Sequence, residues 1–145
     1  LYYSGSRFNY FYLKIKVASN FAEKPLNVAV NDNPKQPLRY EEGGRVFSDS
    51  TAISHIIGGP CLWGNSLDEN SQIHQWVAFG DDLNTRVCSW VYPYMGLRNY
   101  NQKDVSNSRT EVERYLQVLD DHLLHNMFLV GNRITMADVS CAAAL

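Results

Sequence analysis

The run Phe128 to Leu145, FLVGNRITMADVSCAAAL, constrains this chain more than any other part of it. Thr135 followed by Asp138 has the form Ser/Thr-x-x-Asp/Glu. In that pattern the hydroxyl oxygen caps an early helical N–H while the carboxylate reaches back to the N–H of the cap residue. Asp138 also falls in the first turn, where the helix dipole favours negative charge. Ile134, before the cap, is placed to pack on Val139 as a hydrophobic staple. A helix is therefore expected to start at Thr135. The residues after Asp138, Val-Ser-Cys-Ala-Ala-Ala-Leu, are apolar nearly all round, and a helix of that kind belongs inside a core. The expectation is a chain that stops about three turns into a core helix, with later helices of the same domain beyond Leu145.

Composition narrows the rest. With 145 residues, 45% hydrophobic and 19% charged, the chain suits one domain or two small subdomains. Thirteen Lys and Arg against fifteen Asp and Glu leave no dominant basic field, so direct nucleic-acid binding is not expected. There is no apolar run of about 18 residues, which argues against a membrane span. The opening Leu-Tyr-Tyr has neither an initiator Met nor a signal-peptide pattern. Cys61, Cys88 and Cys141 are an odd number at spacings that match no metal or disulfide framework. With no Asn-x-Ser/Thr sequon, the expected compartment is the reducing cytosol, and no metal is expected.

Two halves are visible. From Leu1 to about Ile57 short strand-like runs mix with helices. LYY opens, FYLKIKVAS reads as a helix, and LNVAV, Leu26 to Val30, reads as a strand. QPLRYEEGGRVF reads as a hairpin in which PLRY and RVF flank Glu41-Glu42-Gly43-Gly44. A helix follows from Asp49 or Ser50 through Ile57, stopped by Gly58-Gly59-Pro60. The second half is helical: Ile73, Trp76, Val77, Gly80, Leu83, Val87, Trp90 and Val91 recur at helical steps until Pro93 bends or ends the helix. Val112, Tyr115, Leu116, Leu119 and Leu123 repeat the signal, with His122 and His125 near the end of that second helix. The divisions expected are residues 1–58, a Gly/Pro/Ser/Asn-rich linker over 59–67, and a helical part over 68–145.

This order of elements, with an X-Pro before the hairpin and the string DSTAI at the next helix, resembles the glutathione transferase superfamily. That resemblance implies an α/β plus all-α fold: a shortened thioredoxin-like subdomain followed by an all-helical one, here truncated. Within the superfamily, QWVAFGDDLN (Gln75 to Asn84), WVYPYMGL (Trp90 to Leu97) and FLVGNRITMADVS (Phe128 to Ser140) are similar to the transferase-type N-terminal region of elongation factor 1 gamma subunits. Transferase-like appendages of aminoacyl-tRNA synthetases, valyl-tRNA synthetase in particular, share parts of these strings.

The resemblance implies a glutathione site residue by residue. Asp49 and Ser50 match the acidic-Ser pair that holds the γ-glutamyl end, with Thr51, Ala52 and Ile53 completing the pattern. A helix N-terminus offers N–H groups to a carboxylate, and Asp49 can face an ammonium. Asp and Ser are equally the commonest N-caps, so both roles stand. Pro37, preceded by Gln36, occupies the place of the family's cis-proline, where the preceding backbone meets the cysteinyl part of glutathione. Between LNVAV and Pro37, however, stand only the six residues Asn31 to Gln36, where active transferases carry a longer segment with a helix. For catalysis the family uses a hydroxyl or thiol after the first strand to stabilise the thiolate nucleophile. Tyr3, Ser4 and Ser6 fall in that region, and the serines of SGSR serve equally as turn or cap residues.

Other groupings carry less. His122 and His125 are spaced to share a helix face, without a cysteine partner nearby. Asp81 and Asp82 are neighbours on a helix and point about 100° apart. Trp76, Phe79 and Trp90 read mostly as core, and Cys61 and Cys88 as small buried apolar residues. Two functional classes follow. One is a scaffold of the elongation factor 1 complex that contacts the nucleotide-exchange subunits and the elongation GTPase, with aminoacyl-tRNA synthetases as further partners and a homodimer allowed. It requires no cofactor and has glutathione as an optional ligand. The other is an enzyme conjugating glutathione to electrophiles. Fold alone does not choose between them.

Overall fold

A computed structural model describes residues 1–3, 9–30 and 38–145 of the chain. These form two compact units, Leu1–Ser71 and Gln72–Leu145.

In the first unit, β1 (Tyr2–Tyr3) and β2 (Ala29–Val30) pair in parallel, Tyr2 opposite Ala29 and Tyr3 opposite Val30. Helix α1 (Tyr10–Phe21) lies between them in sequence, as a parallel crossover requires. Asn9 caps it, its side chain accepting from the N–H of Phe11 at 2.9 Å. The buried residues Tyr10, Lys14, Ile15 and Ala18 form one stripe at helical spacing. Lys14 is fully buried, with its ammonium 5.0 Å from the Tyr10 ring centre. The hairpin joins β3 (Tyr40–Glu42) to β4 (Arg45–Phe47), Glu42 opposite Arg45. Helix α2 (Ser50–Leu62) packs against α1, and Ile15, Ile53 and Leu62 are fully buried. Each such side chain contributes about 1.5–3 kcal/mol by leaving water.

Several expectations are corrected here. The strand in LNVAV is only its last two residues, because its partner β1 is itself two residues long. Glu41 and Glu42 belong to the hairpin strand, and the turn is Gly43-Gly44 alone, with φ of 56° and 77° as a two-residue turn demands. Glycine 59 breaks α2 with φ 45° and ψ −146°, but a further helical turn runs to Leu62. This turn buries Leu62 and Trp63 and leaves Cys61 exposed, against the expectation of a buried thiol.

Helix α3 (Leu67–Val91) begins at the end of the first unit. Ser66 Oγ accepts from the N–H of Glu69 at 3.1 Å, and Glu69 Oε2 accepts from the N–H of Asn65 at 3.0 Å. The Asn70 side chain clasps Gly64 through both its N–H and its C=O. Within the second unit Ile73, Val77, Gly80 and Leu83 form the buried stripe of α3, which ends two residues before Pro93. Helix α4 (Gln102–Leu123) is capped by Asn101 and buries Val105, Val112 and Leu119. It runs antiparallel to α3, as ring contacts show: Trp76 meets His122 at 4.8 Å and Phe79 meets Tyr115 at 4.7 Å. Helix α5 (Met136–Ala143) spans about two turns, not three. It crosses α3 so closely that a Cβ on Gly80 would stand 3.0 Å from the carbonyl carbon of Ser140.

Candidate functional site

The start of α2 follows from its first residues. Asp49 has extended backbone, φ −96° and ψ 132°, and its Oδ1 accepts from the N–H of Ala52 at 2.8 Å. Its carbonyl accepts from the N–H of Ile53 at 3.0 Å. The N–H groups of Ser50 and Thr51 have no helical acceptor, since the first turn of any helix lacks one. Asp49 is exposed, and among the described residues its Oδ2 carries no hydrogen bond. Ser50 is buried at the opening of the helix, and Ser54 Oγ donates to Thr51 O at 2.8 Å, which stiffens the turn behind it. Chemically this end can take a carboxylate on two N–H groups and an ammonium on Asp49. It is also a complete N-cap without any ligand.

None of the remaining residues implied by the resemblance has a described side chain. Ser4, Ser6, Gln36 and Pro37 lie outside the described residues, and of Tyr3 only the backbone, in β1, is described. On the hairpin, Lys24 and Glu42 pair at 2.6 Å. The hydrogen bond to Glu42 holds the Lys24 ammonium above the usual range. Burial pushes the neighbouring Tyr40 phenol up, opposed by the charge of Lys24. This trio ties the chain after α1 to β3.

In the second unit, Asp138 accepts three hydrogen bonds. The N–H of Leu129 reaches Oδ1 at 2.9 Å, and Thr135 donates to Oδ2 from its N–H at 2.8 Å and from its hydroxyl at 3.0 Å. The contact from the Thr135 hydroxyl oxygen to the N–H of Asp138 completes the capping box but is its loose half, short of a full hydrogen bond. His122 Nε2 lies 3.0 Å from Leu129 O, on the same loop. His125 sits past the end of α4, so the two histidines share no helix face as expected from their spacing. No group of three metal-ligating side chains occurs among the described residues. Asp81 is half-buried and Asp82 exposed along α3. Trp76, Phe79 and Trp90 are half-buried, Trp90 under the Arg109 guanidinium at 6.0 Å. Cys88 is half-buried, with its thiol 3.7 Å from Asn84 Oδ1. Its hydrogen bond to Tyr92 raises that phenol's pKa. No described helix is long and apolar enough to cross a membrane.

Comparison with known proteins extends these observations. The family model "Glutathione S-transferase, C-terminal domain" matches residues 84–145. Elongation factor 1-gamma of Artemia salina is 35% identical over 112 residues, 77% of this chain and 26% of the relative. That of Carassius auratus is 32% identical over 150 residues, 99% of this chain and 33% of the relative. The chain thus spans about a quarter to a third of the curated relatives it matches. A delta-class glutathione transferase of Nilaparvata lugens superposes with a TM-score of 0.82 at 18% identity, covering 99% of this chain and 76% of that one. Glutathione transferase F2 of Populus trichocarpa gives 0.81 at 17% identity, with 99% and 79% covered. At such identity the structures speak for the fold, and the sequence relatives narrow it further. This chain belongs to the glutathione transferase-like domains of the kind carried by elongation factor 1-gamma.

Proposed function

We propose that this domain is a scaffold of the elongation factor 1 complex, holding the nucleotide-exchange subunits and the elongation GTPase together in the cytoplasm, and that it is not a glutathione-conjugating enzyme. The observation that carries the reading is the interval Asn31–Gln36, six residues where a transferase needs the wall of its peptide site. The relatives named elongation factor 1-gamma supply the complex. A second reading, glutathione conjugation, is favoured by the two N–H groups open beside Asp49. It is favoured also by the fold shared with a transferase bound to lactoylglutathione.

Titration calorimetry with glutathione separates the two. The scaffold reading expects no binding tighter than about millimolar, which corresponds to roughly −4 kcal/mol, and no turnover of chlorodinitrobenzene. Micromolar binding with turnover would overturn it. The partner half is tested by affinity purification of the tagged full-length protein. Recovery of the exchange subunits and the GTPase is expected, and recovery of other translation factors without either would refute that assignment.

A further inference from the structure

The connection between α3 and α4 places four large side chains in water within seven residues. Tyr94 and Met95 are 64% exposed, Leu97 62% and Tyr100 57%. Isolated exposed apolar residues are ordinary, whereas a cluster marks a contact surface. The segment is also rigid. Beyond Pro93 the chain makes one more helical turn, which Gly96 closes with φ 72°. Its N–H donates to Pro93 O at 3.3 Å and that of Leu97 to Tyr92 O at 3.0 Å, a Schellman pair. Arg98 then folds back, its guanidinium 5.6 Å from the Tyr92 ring centre and donating to Ser89 Oγ at 3.3 Å. The Tyr94 and Tyr100 rings meet edge to face at 5.6 Å. Part of the cost of ordering the backbone and the two tyrosines is thus met before any partner arrives.

Charge says what the partner is. From Leu83 to Lys103 the chain carries Arg86, Arg98 and Lys103 and not one Asp or Glu, although acidic residues outnumber basic ones in the whole protein. Among the described residues neither Arg86 nor Lys103 is in an ion pair. Tyrosine, methionine and arginine are the residues that protein interfaces favour.

We infer that the 92–100 turn, with Arg98 and Lys103 beside it, docks an acidic protein segment bearing apolar side chains. RNA is the weaker match. Tyr94 and Tyr100 are rings on which a base can stack, but they pack edge to face on each other, and the other two exposed side chains, Met95 and Leu97, offer apolar contact for which a nucleic acid has little use. The inference stands on this turn and the basic residues flanking it in sequence, and survives failure of the scaffold reading.

The test is fluorescence anisotropy with a short labelled peptide alternating Glu or Asp with Leu or Phe. A counterpart with Lys in place of the acids and an oligouridine serve as rival probes. The acidic peptide is expected to bind best. Its affinity should fall about tenfold or more in Leu97→Ser and in Lys103→Glu, the loss typical of an interface anchor. It should be unchanged in Val118→Ser, a control that exchanges an exposed apolar residue of α4. All three sites are exposed, and circular dichroism confirms folding of each variant. Absence of binding, equal binding of the Lys peptide, tighter binding of oligouridine, or no response to either variant would each overturn the inference. So would sedimentation showing that Leu97 instead holds two copies of this chain together.

Discussion

Replacing Asp138 by Ala should be the most damaging single polar change in the second unit, and the structure sets its size. The carboxylate receives the N–H groups of Leu129 and Thr135 and the Thr135 hydroxyl. Leu129 is 5% exposed and Thr135 is fully buried, so water does not easily replace the carboxylate. The hydroxyl can rotate toward another acceptor, but the two backbone donors cannot. An orphaned buried donor costs about 1–3 kcal/mol, and a lost acidic residue in the first turn costs about 0.5 kcal/mol more. We expect about 3–4 kcal/mol for Asp138→Ala, against about 1 kcal/mol for Thr135→Ala, whose hydroxyl is the weaker half of the cap. Asp138→Asn should fall between, because one oxygen becomes an amide facing a donor. Urea denaturation reads these as shifts in midpoint at constant slope. The double variant should cost less than the two singles added, since the Thr135 hydroxyl loses nothing more once its acceptor is gone. A cost for Asp138→Ala no greater than that for Thr135→Ala would mean the donors find water, and the reasoning would fail.

Two glycines give contrasting expectations. Gly80→Ala gains about 1 kcal/mol of helix propensity, but its Cβ would meet the α5 backbone at 3.0–3.2 Å. Overpacking of about 1–3 kcal/mol should dominate, and an unchanged or raised melting midpoint would show that α5 yields. Gly59→Ala meets nothing within 4 Å, so its cost comes from φ 45° alone. That cost should be about 1–3 kcal/mol, and a neutral result would mean the break in α2 relaxes.

How much was legible depended on how local the cause was. The cap at Thr135 and Asp138 is visible because donor and acceptor are three residues apart. The bond from Leu129 to the same carboxylate spans nine residues of irregular chain, where no periodicity reports it. The apolar stripe of α3 was legible through Gly80, yet nothing local shows that Gly80 faces another helix and not a larger neighbour. Ser66-x-x-Glu69 has the same capping form as Thr135-x-x-Asp138, but its Gly, Asn and Ser surroundings read as a linker. The structure instead uses Glu69 and Asn70 to tie that stretch to α3. His122 and His125 looked like a helical pair because the end of α4 carries no breaker, and only packing against Trp76 and Leu129 distinguishes them.

The site at Asp49 resisted reading for a different reason. A helix N-terminus has N–H groups without acceptors, and a short acidic side chain just before it relieves them whether or not a ligand comes. A ligand carboxylate would be recognised by the same donors, so selection for stability and selection for glutathione place the same residue types at the same positions. What separates the two is whether other walls complete a pocket, and walls come from residues distant in sequence. The connection that would build one of them is only six residues long here. Length was therefore more informative about function than the motif. A motif at a helix start states what the backbone needs, whereas the segment opposite it decides whether a ligand can be enclosed. A longer segment at Asn31–Gln36 need not displace the cap, since Asp49 Oδ1 stays with Ala52 while Oδ2 and the N–H groups of Ser50 and Thr51 remain open to a ligand.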